Sequence, residues 1–251
     1  MAQSIRGMTA LITGGAKRIG RETALTLAAE GVNIVVHYDH SLEAALELAQ
    51  ELTAMGVWAW TVQADFTSKE EYGGLIDRTF DLAGSLDILV NNASIFPKDT
   101  LAEITFEELV KNMEVNAWVP VILMRAFIER VERGKIVNLI DSRVHGYEWT
   151  HVAYIISKHA LRAFTHMAAL EYAPNFTVNA VAPGLILPPP GQPESYLEQM
   201  KATVPLKRNG GPQDIADAIL YLVKSDFVTG ETMFVDGGRH LWEYVSGPHP
   251  G

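Results

Sequence analysis

Short apolar runs rich in β-branched residues alternate along the chain with longer stretches whose apolar positions recur at helical spacing. The runs cover 9–12, 33–37, 58–62, 87–90, 135–140, 177–181 and 232–235. Several lack any alternation of apolar and polar positions, as expected for strands covered on both faces. Between them lie segments such as 41–55, where Leu42, Ala45, Leu46, Ala49 and Leu52 mark one face of a helix. Strand–helix alternation of this kind implies right-handed crossovers. It predicts an α/β protein: a single doubly wound domain over residues 1–251, with a mostly parallel seven-stranded sheet and helices on both faces. One stretch, 184–193, breaks the pattern with Pro188, Pro189 and Pro190 in a row, which neither a helix nor a central strand accepts. A short helix is predicted over 194–202, so 184–205 is a candidate lid over a substrate site, against the plainer reading of a surface loop.

Composition narrows the function. With 20 Lys and Arg against 30 Asp and Glu the formal charge is −10, which argues against a nucleic-acid partner. There is no cysteine, so disulfides, zinc thiolates and cysteine nucleophiles are excluded. Residues 1–8 show no signal peptide, and no stretch reaches the roughly 18 apolar residues of a membrane span. A cytoplasmic protein with no membrane partner is expected. Eight histidines invite a metal reading, but His37 and His40 sit at the end of the second strand. His159 and His166 lack ligand partners nearby, and no H-E-x-x-H occurs, so no metal site is expected.

The first strand runs into Thr13-Gly14-Gly15-Ala16-Lys17-Arg18-Ile19-Gly20, with a helix following. A glycine-rich turn there lets backbone N–H groups approach a pyrophosphate at the helix N-terminus, although three glycines alone would equally make a tight turn. Lys17 and Arg18 are cations suited to a ribose 2′-phosphate, which points to NADPH, with NADH less favoured. The second strand ends in His37-Tyr38-Asp39-His40-Ser41, with Tyr38 rather than Asp39 where an NAD enzyme places its acidic residue. His37 and Ser41 are candidate donors to the 2′-phosphate, whereas Asp39 would repel it if turned inward.

Tyr154 and Lys158 stand one helical turn apart on one face. An ordinary tyrosine is a poor proton donor at neutral pH, and an ammonium one turn away lowers its pKa, which makes the pair a recipe for general acid catalysis. A bare pair of this kind is common on helix surfaces. Its context is not: the phosphate turn, Asn91-Asn92-Ala93 after strand four, Asn116 in the next helix, and Pro183-Gly184 after strand six all occur in order.

With these elements the sequence resembles the short-chain dehydrogenase/reductase family over essentially its whole length. The resemblance implies a Rossmann domain, a homotetramer, and a cofactor site made of Gly14, Lys17, Arg18, Ile19, Gly20, His37, Tyr38, Ser41, Asp65, Asn92, Ala93, Ser94, Tyr154, Lys158, Pro183 and Gly184. Within it Arg18 replaces a usual glycine, and Asp65 would bind the adenine amino group. Tyr154 would donate the proton, Lys158 would hold the nicotinamide ribose, and Asn116 would support a proton-relay water.

Asp141 stands where the family normally has a serine that bonds the substrate carbonyl. A carboxylate there would oppose a developing alkoxide and suits a substrate that gains a proton on nitrogen. The departures resemble the pteridine reductase branch, including its bacterial dihydromonapterin and dihydrofolate reductase type. Asn92-Ala93-Ser94 with Phe96, His37-Tyr38 with Ser41, and Asp236-Gly237-Gly238 carry that likeness, although the branch often has arginine where His40 stands. By that resemblance Phe96 would stack on a pterin, Ser94 would touch cofactor phosphate or pterin, and Asp141 with Tyr154 would handle protonation during C=N reduction of a dihydropterin or dihydrofolate. The alternatives are a carbonyl reductase for a 3-oxoacyl thioester or sugar, and a non-catalytic dinucleotide-binding regulator.

Overall fold

The computed structural model describes residues 4–244 apart from 147, 148, 190, 192 and 194. Its strands are β1 (Thr9–Ile12), β2 (Asn33–Tyr38), β3 (Ala59–Gln63), β4 (Ile88–Asn91), β5 (Gly134–Leu139), β6 (Phe176–Pro183) and β7 (Thr232–Val235). They form one sheet in the order β3-β2-β1-β4-β5-β6-β7, with every pairing parallel rather than mostly so. The helices are α1 (Arg18–Ala29), α2 (Leu42–Ala54), α3 (Lys69–Gly73), α4 (Leu75–Ala83), α5 (Phe106–Met113), α6 (Val119–Arg130), α7 (Val152–Glu171), α8 (Ser195–Met200) and α9 (Pro212–Lys224).

All four residues of β1 and of β4 are buried, which is why their sequences show no alternation. Ile12, Ile34 and Val36 face one apolar layer with Leu27, Leu48 and Ile219 of α1, α2 and α9. Leu11, Val35 and Leu89 face the other, with Leu123 and Phe127 of α6. Each fully buried Leu, Ile or Phe contributes about 1.5–3 kcal/mol of transfer free energy. Among the described residues no helix is long and apolar enough to cross a membrane.

Strand order reverses between β1 and β4, the position at which open parallel sheets leave a crevice at the carboxyl ends of their strands. The turn after β1, the loop after β4, Asp141 after β5 and Pro183 at the end of β6 all open onto that crevice. Asn116 departs from its predicted helix. It lies on a π-helical segment, Glu114–Trp118, inserted between α5 and α6. Pro120 has no N–H to give the Asn116 carbonyl in α-helical register, which is the local reason for the wider turn.

Candidate active site

The turn after β1 is bolted to the loop after β4. Thr13 Oγ1 accepts from the backbone N–H groups of Asn92 (2.9 Å) and Ala93 (3.0 Å), and the Asn92 amide donates to the carbonyls of Thr13 (2.9 Å) and Gly14 (3.0 Å). Arg18, at φ +55, takes the left-handed backbone that glycine adopts without cost. Its guanidinium is exposed and donates to the Pro188 carbonyl (2.9 Å), linking the turn to the loop after β6.

His37 does not serve as a phosphate donor. It is buried, its Nδ1 accepts from the Gly14 N–H (3.0 Å), and its Nε2–H faces the Ala64 carbonyl (3.0 Å), so both nitrogens are occupied by the backbone. Burial, with a smaller contribution from Arg78, lowers its pKa to about 4. The residue therefore supports the turn as a neutral imidazole. Because the unfolded histidine titrates near ~6.5, stability is full above that pH and falls as pH drops toward about 4, by on the order of 3 kcal/mol. Urea unfolding at about pH 7.5 and about pH 5 should show about 2 kcal/mol of this loss in the wild type and a smaller one in His37→Gln. Equal losses in the two proteins would remove His37 as the titrating group.

The chemical end of the cleft lies between β5 and α7. Asp99 Oδ1 accepts from the Ala153 N–H (3.1 Å) at the start of α7 and so fixes the first turn of the helix that carries Tyr154 and Lys158. The Tyr154 hydroxyl donates to Asp141 Oδ2 (3.0 Å). Arg143 meets the same carboxylate through its Nη2 (2.8 Å), its Nε (2.9 Å) and its own backbone N–H (2.9 Å). Burial opposes ionisation of Asp141, but the bonds and charge of Arg143 win and hold its pKa below the usual carboxylate value.

Two expectations about this site are corrected. Lys158 does not set the Tyr154 pKa: burial and then the Asp141 charge outweigh it and push that hydroxyl well above its ordinary value, so it stays protonated. The Lys158 ammonium instead donates to the Leu139 carbonyl (2.8 Å), 5.6 Å from the centre of the Tyr154 ring, and burial lowers its own pKa to about 8. Nor is Asp141 an uncompensated charge facing the substrate, because Arg143 neutralises it. The electrostatic objection to an alkoxide product is correspondingly weaker.

Every site residue expected from the sequence lines this one cleft, about 760 Å³ in volume, except Asn116. Asn116 is fully buried behind it. Its Oδ1 accepts from the Ile95 N–H (2.8 Å), and its Nδ2 donates to the Ile95 carbonyl (3.0 Å) and Ser157 Oγ (3.1 Å). Its amide thus ties the loop after β4 to α7 instead of facing the cleft. Phe96 stacks on His151 with ring centres 3.8 Å apart and meets Tyr154 edge-on at 4.6 Å, so one of its faces is already covered. Asp65 accepts from the Thr67 N–H (2.7 Å) and hydroxyl, bonds that lower its pKa, and Asp39 lies 3.2 Å from His40. Of the predicted lid, Leu187, Pro189, Tyr196 and Met200 line the cleft, while 190, 192 and 194 lie outside the described residues. Sequence reasoning missed Arg143, His151, Tyr196 and Arg239. Two carried a signal: Arg143 is an arginine two places past the acidic residue that caps the Ser142–His145 turn, and Arg239 continues the Asp236-Gly237-Gly238 run that carries the resemblance.

A family model described as enoyl-(acyl carrier protein) reductase matches residues 14–240. The granaticin polyketide synthase putative ketoacyl reductase 2 of Streptomyces violaceoruber is 34% identical over 242 residues, covering 92% of this chain and 96% of that one. The 3-oxoacyl-[acyl-carrier-protein] reductase FabG of Staphylococcus aureus is 34% identical over 252 residues, covering 93% and 98%. Among solved structures, FolM alternative dihydrofolate reductase 1 from Brucella canis, complexed with NADP, superposes with a TM-score of 0.92 at 30% identity, covering 100% of both chains.

Proposed function

The chain belongs to the short-chain dehydrogenase/reductase family, and from that premise we propose that it is an NADPH-dependent pteridine reductase-like enzyme. Its reaction is reduction of a C=N bond in a dihydropterin or dihydrofolate. The observation that carries this reading is the Asp141 carboxylate at the end of β5, bonded to the Tyr154 hydroxyl beside Phe96. The likeness to the FolM structure over the full chain supports it.

The turn over 13–20 fits a dinucleotide pyrophosphate, since Gly14 and Gly20 let it fold tightly on itself and against Asn92 and Ala93, which sets its backbone at the start of α1 along the cleft. Lys17 and Arg18 flank the adenosine end, and the NADP in the FolM structure supports NADPH as the cofactor. Bound there, the nicotinamide supplies a hydride to the ring carbon. Tyr154 gives the neighbouring nitrogen its proton, Asp141 orients that hydroxyl, and Phe96 offers a flat apolar wall. The segment after β6 closes the outer side through Tyr196 and Met200.

Turnover of NADPH with dihydrobiopterin or dihydromonapterin, beside NADH and a 3-oxoacyl thioester, tests the assignment. Silence with pterins and turnover of the thioester would replace it by the carbonyl reductase reading, which Arg143 and the FabG-like relatives favour. Arg18→Ala should weaken NADPH binding roughly tenfold or more through loss of a charge-assisted bond and leave NADH binding unchanged. A uniform loss with both cofactors would detach Arg18 from the 2′-phosphate.

Exposed Phe106, Val110 and Trp118 on α5 and the π-turn, with Ile156, Met167 and Leu170 on α7, form an apolar face suited to a second copy of the chain. Phe227, fully exposed before the edge strand β7, offers another. Two such faces support a homotetramer, and a native mass of one chain would refute it.

A further inference from the structure

We propose that Arg143 is a positioning residue for proton transfer: it holds the Asp141 carboxylate ionised and turned to the Tyr154 hydroxyl, so that Tyr154 alone carries the transferable proton. The inference rests on the reading of Tyr154 as proton donor and holds for either substrate class.

Asp141 Oδ1 accepts from the Arg143 backbone N–H and Nε, both at 2.9 Å, and Oδ2 accepts from Nη2 at 2.8 Å and from Tyr154 at 3.0 Å. Three of these four donors belong to Arg143. Backbone N–H and side-chain fork grip the carboxylate from a residue only two positions away, at the start of the Ser142–His145 turn, which fixes its plane. The guanidinium is itself held over the rings of Phe96 (5.2 Å) and Tyr154 (5.6 Å).

Remove that grip and burial decides. Among the described residues another charge facing Asp141 is Lys158 on α7, whose ammonium is engaged by the Leu139 carbonyl, while His151 faces Phe96. A buried carboxyl left with Tyr154 favours its neutral form. As a neutral acid it becomes a donor and can point its proton at the Tyr154 oxygen, reversing the bond that aims the tyrosine hydroxyl.

The test compares wild type, R143Q, R143K, D141N and R143Q/D141N, each loaded with NADPH, from about pH 5 to about pH 8, with a dihydropterin and a 3-oxoacyl thioester assayed in parallel. Wild-type kcat should stay level until Lys158 titrates near about pH 8. In R143Q, kcat should fall roughly tenfold or more at about pH 6 and recover as pH rises and Asp141 ionises again, with NADPH affinity unchanged. R143K should restore most of the loss, and R143Q should add nothing on the D141N background. A readout free of turnover is the infrared band of a protonated carboxyl at about pH 6, expected in R143Q and absent from wild type and from R143Q/D141N. If R143Q does not fold, R143K should still show a weaker acid limb. Parallel pH profiles, a loss that persists on D141N, or absence of the carboxyl band would overturn the proposal. Pterin silence with thioester turnover would remove the substrate reading alone, leaving Arg143 to be judged on the thioester profile.

Discussion

Tyr154→Phe should lower kcat by about 10²–10⁴-fold and leave the NADPH dissociation constant unchanged. The substitution removes one oxygen from a side chain that is 7% exposed and keeps the ring that meets Phe96 edge-on at 4.6 Å. Packing therefore survives, and Asp141 keeps all three of its Arg143 bonds. The proton source is what disappears. Within the cluster of Asp141, Tyr154 and Lys158, Asp141 is held ionised and the Lys158 ammonium is committed to Leu139, which leaves the tyrosine as the acid that remains protonated through neutral pH. Steady-state turnover together with NADPH titration checks the result. A variant as fast as wild type would place the transferable proton elsewhere.

The parts of the molecule legible in the sequence are those where local chemistry and position agree. Strands β1 and β7 fall on their apolar runs because buried β-branched segments between turn residues have few other folds open to them. The phosphate turn and the Tyr154/Lys158 spacing were readable for the same reason, since each is a short local pattern. What escaped is non-local or depends on burial. His37 looked like a polar donor at a strand end, and only the fold shows Gly14 and Ala64 taking both its nitrogens. The acidity of Tyr154 was read from Lys158, one turn away, when the closer influence comes from Asp141 on another element. The π-turn at Asn116 interrupts a helical pattern that runs on through it, and Pro120 was its only sign.

Gly20→Ala should cost about 1–3 kcal/mol of stability and weaken NADPH binding roughly tenfold to hundredfold, while kcat at saturating cofactor stays close to wild type. Gly20 is buried in the first turn of α1, where alanine is otherwise the better helix former. A Cβ there would stand 2.3 Å from the Gly14 carbonyl oxygen, 2.8 Å from Asn92 Nδ2 and 2.9 Å from the Gly15 Cα. Two of these neighbours are backbone and the third is the amide that bolts the turn to β4, so relief requires opening the turn itself. Opening it misaligns the N–H groups that face a pyrophosphate and breaks the bonds from Asn92 to Thr13 and Gly14. Tyr154, Asp141 and Arg143 lie beyond β4, held by α7 and the end of β5, and are spared. Gly73→Ala is the control, because a Cβ at Gly73 meets nothing within 4 Å, so stability should hold or rise by up to about 1 kcal/mol and NADPH binding should not change. Thermal unfolding with NADPH titration of both variants reads the difference, and a Gly20→Ala protein that binds NADPH as tightly as wild type would mean that the turn over 13–20 is not where the cofactor's phosphates rest.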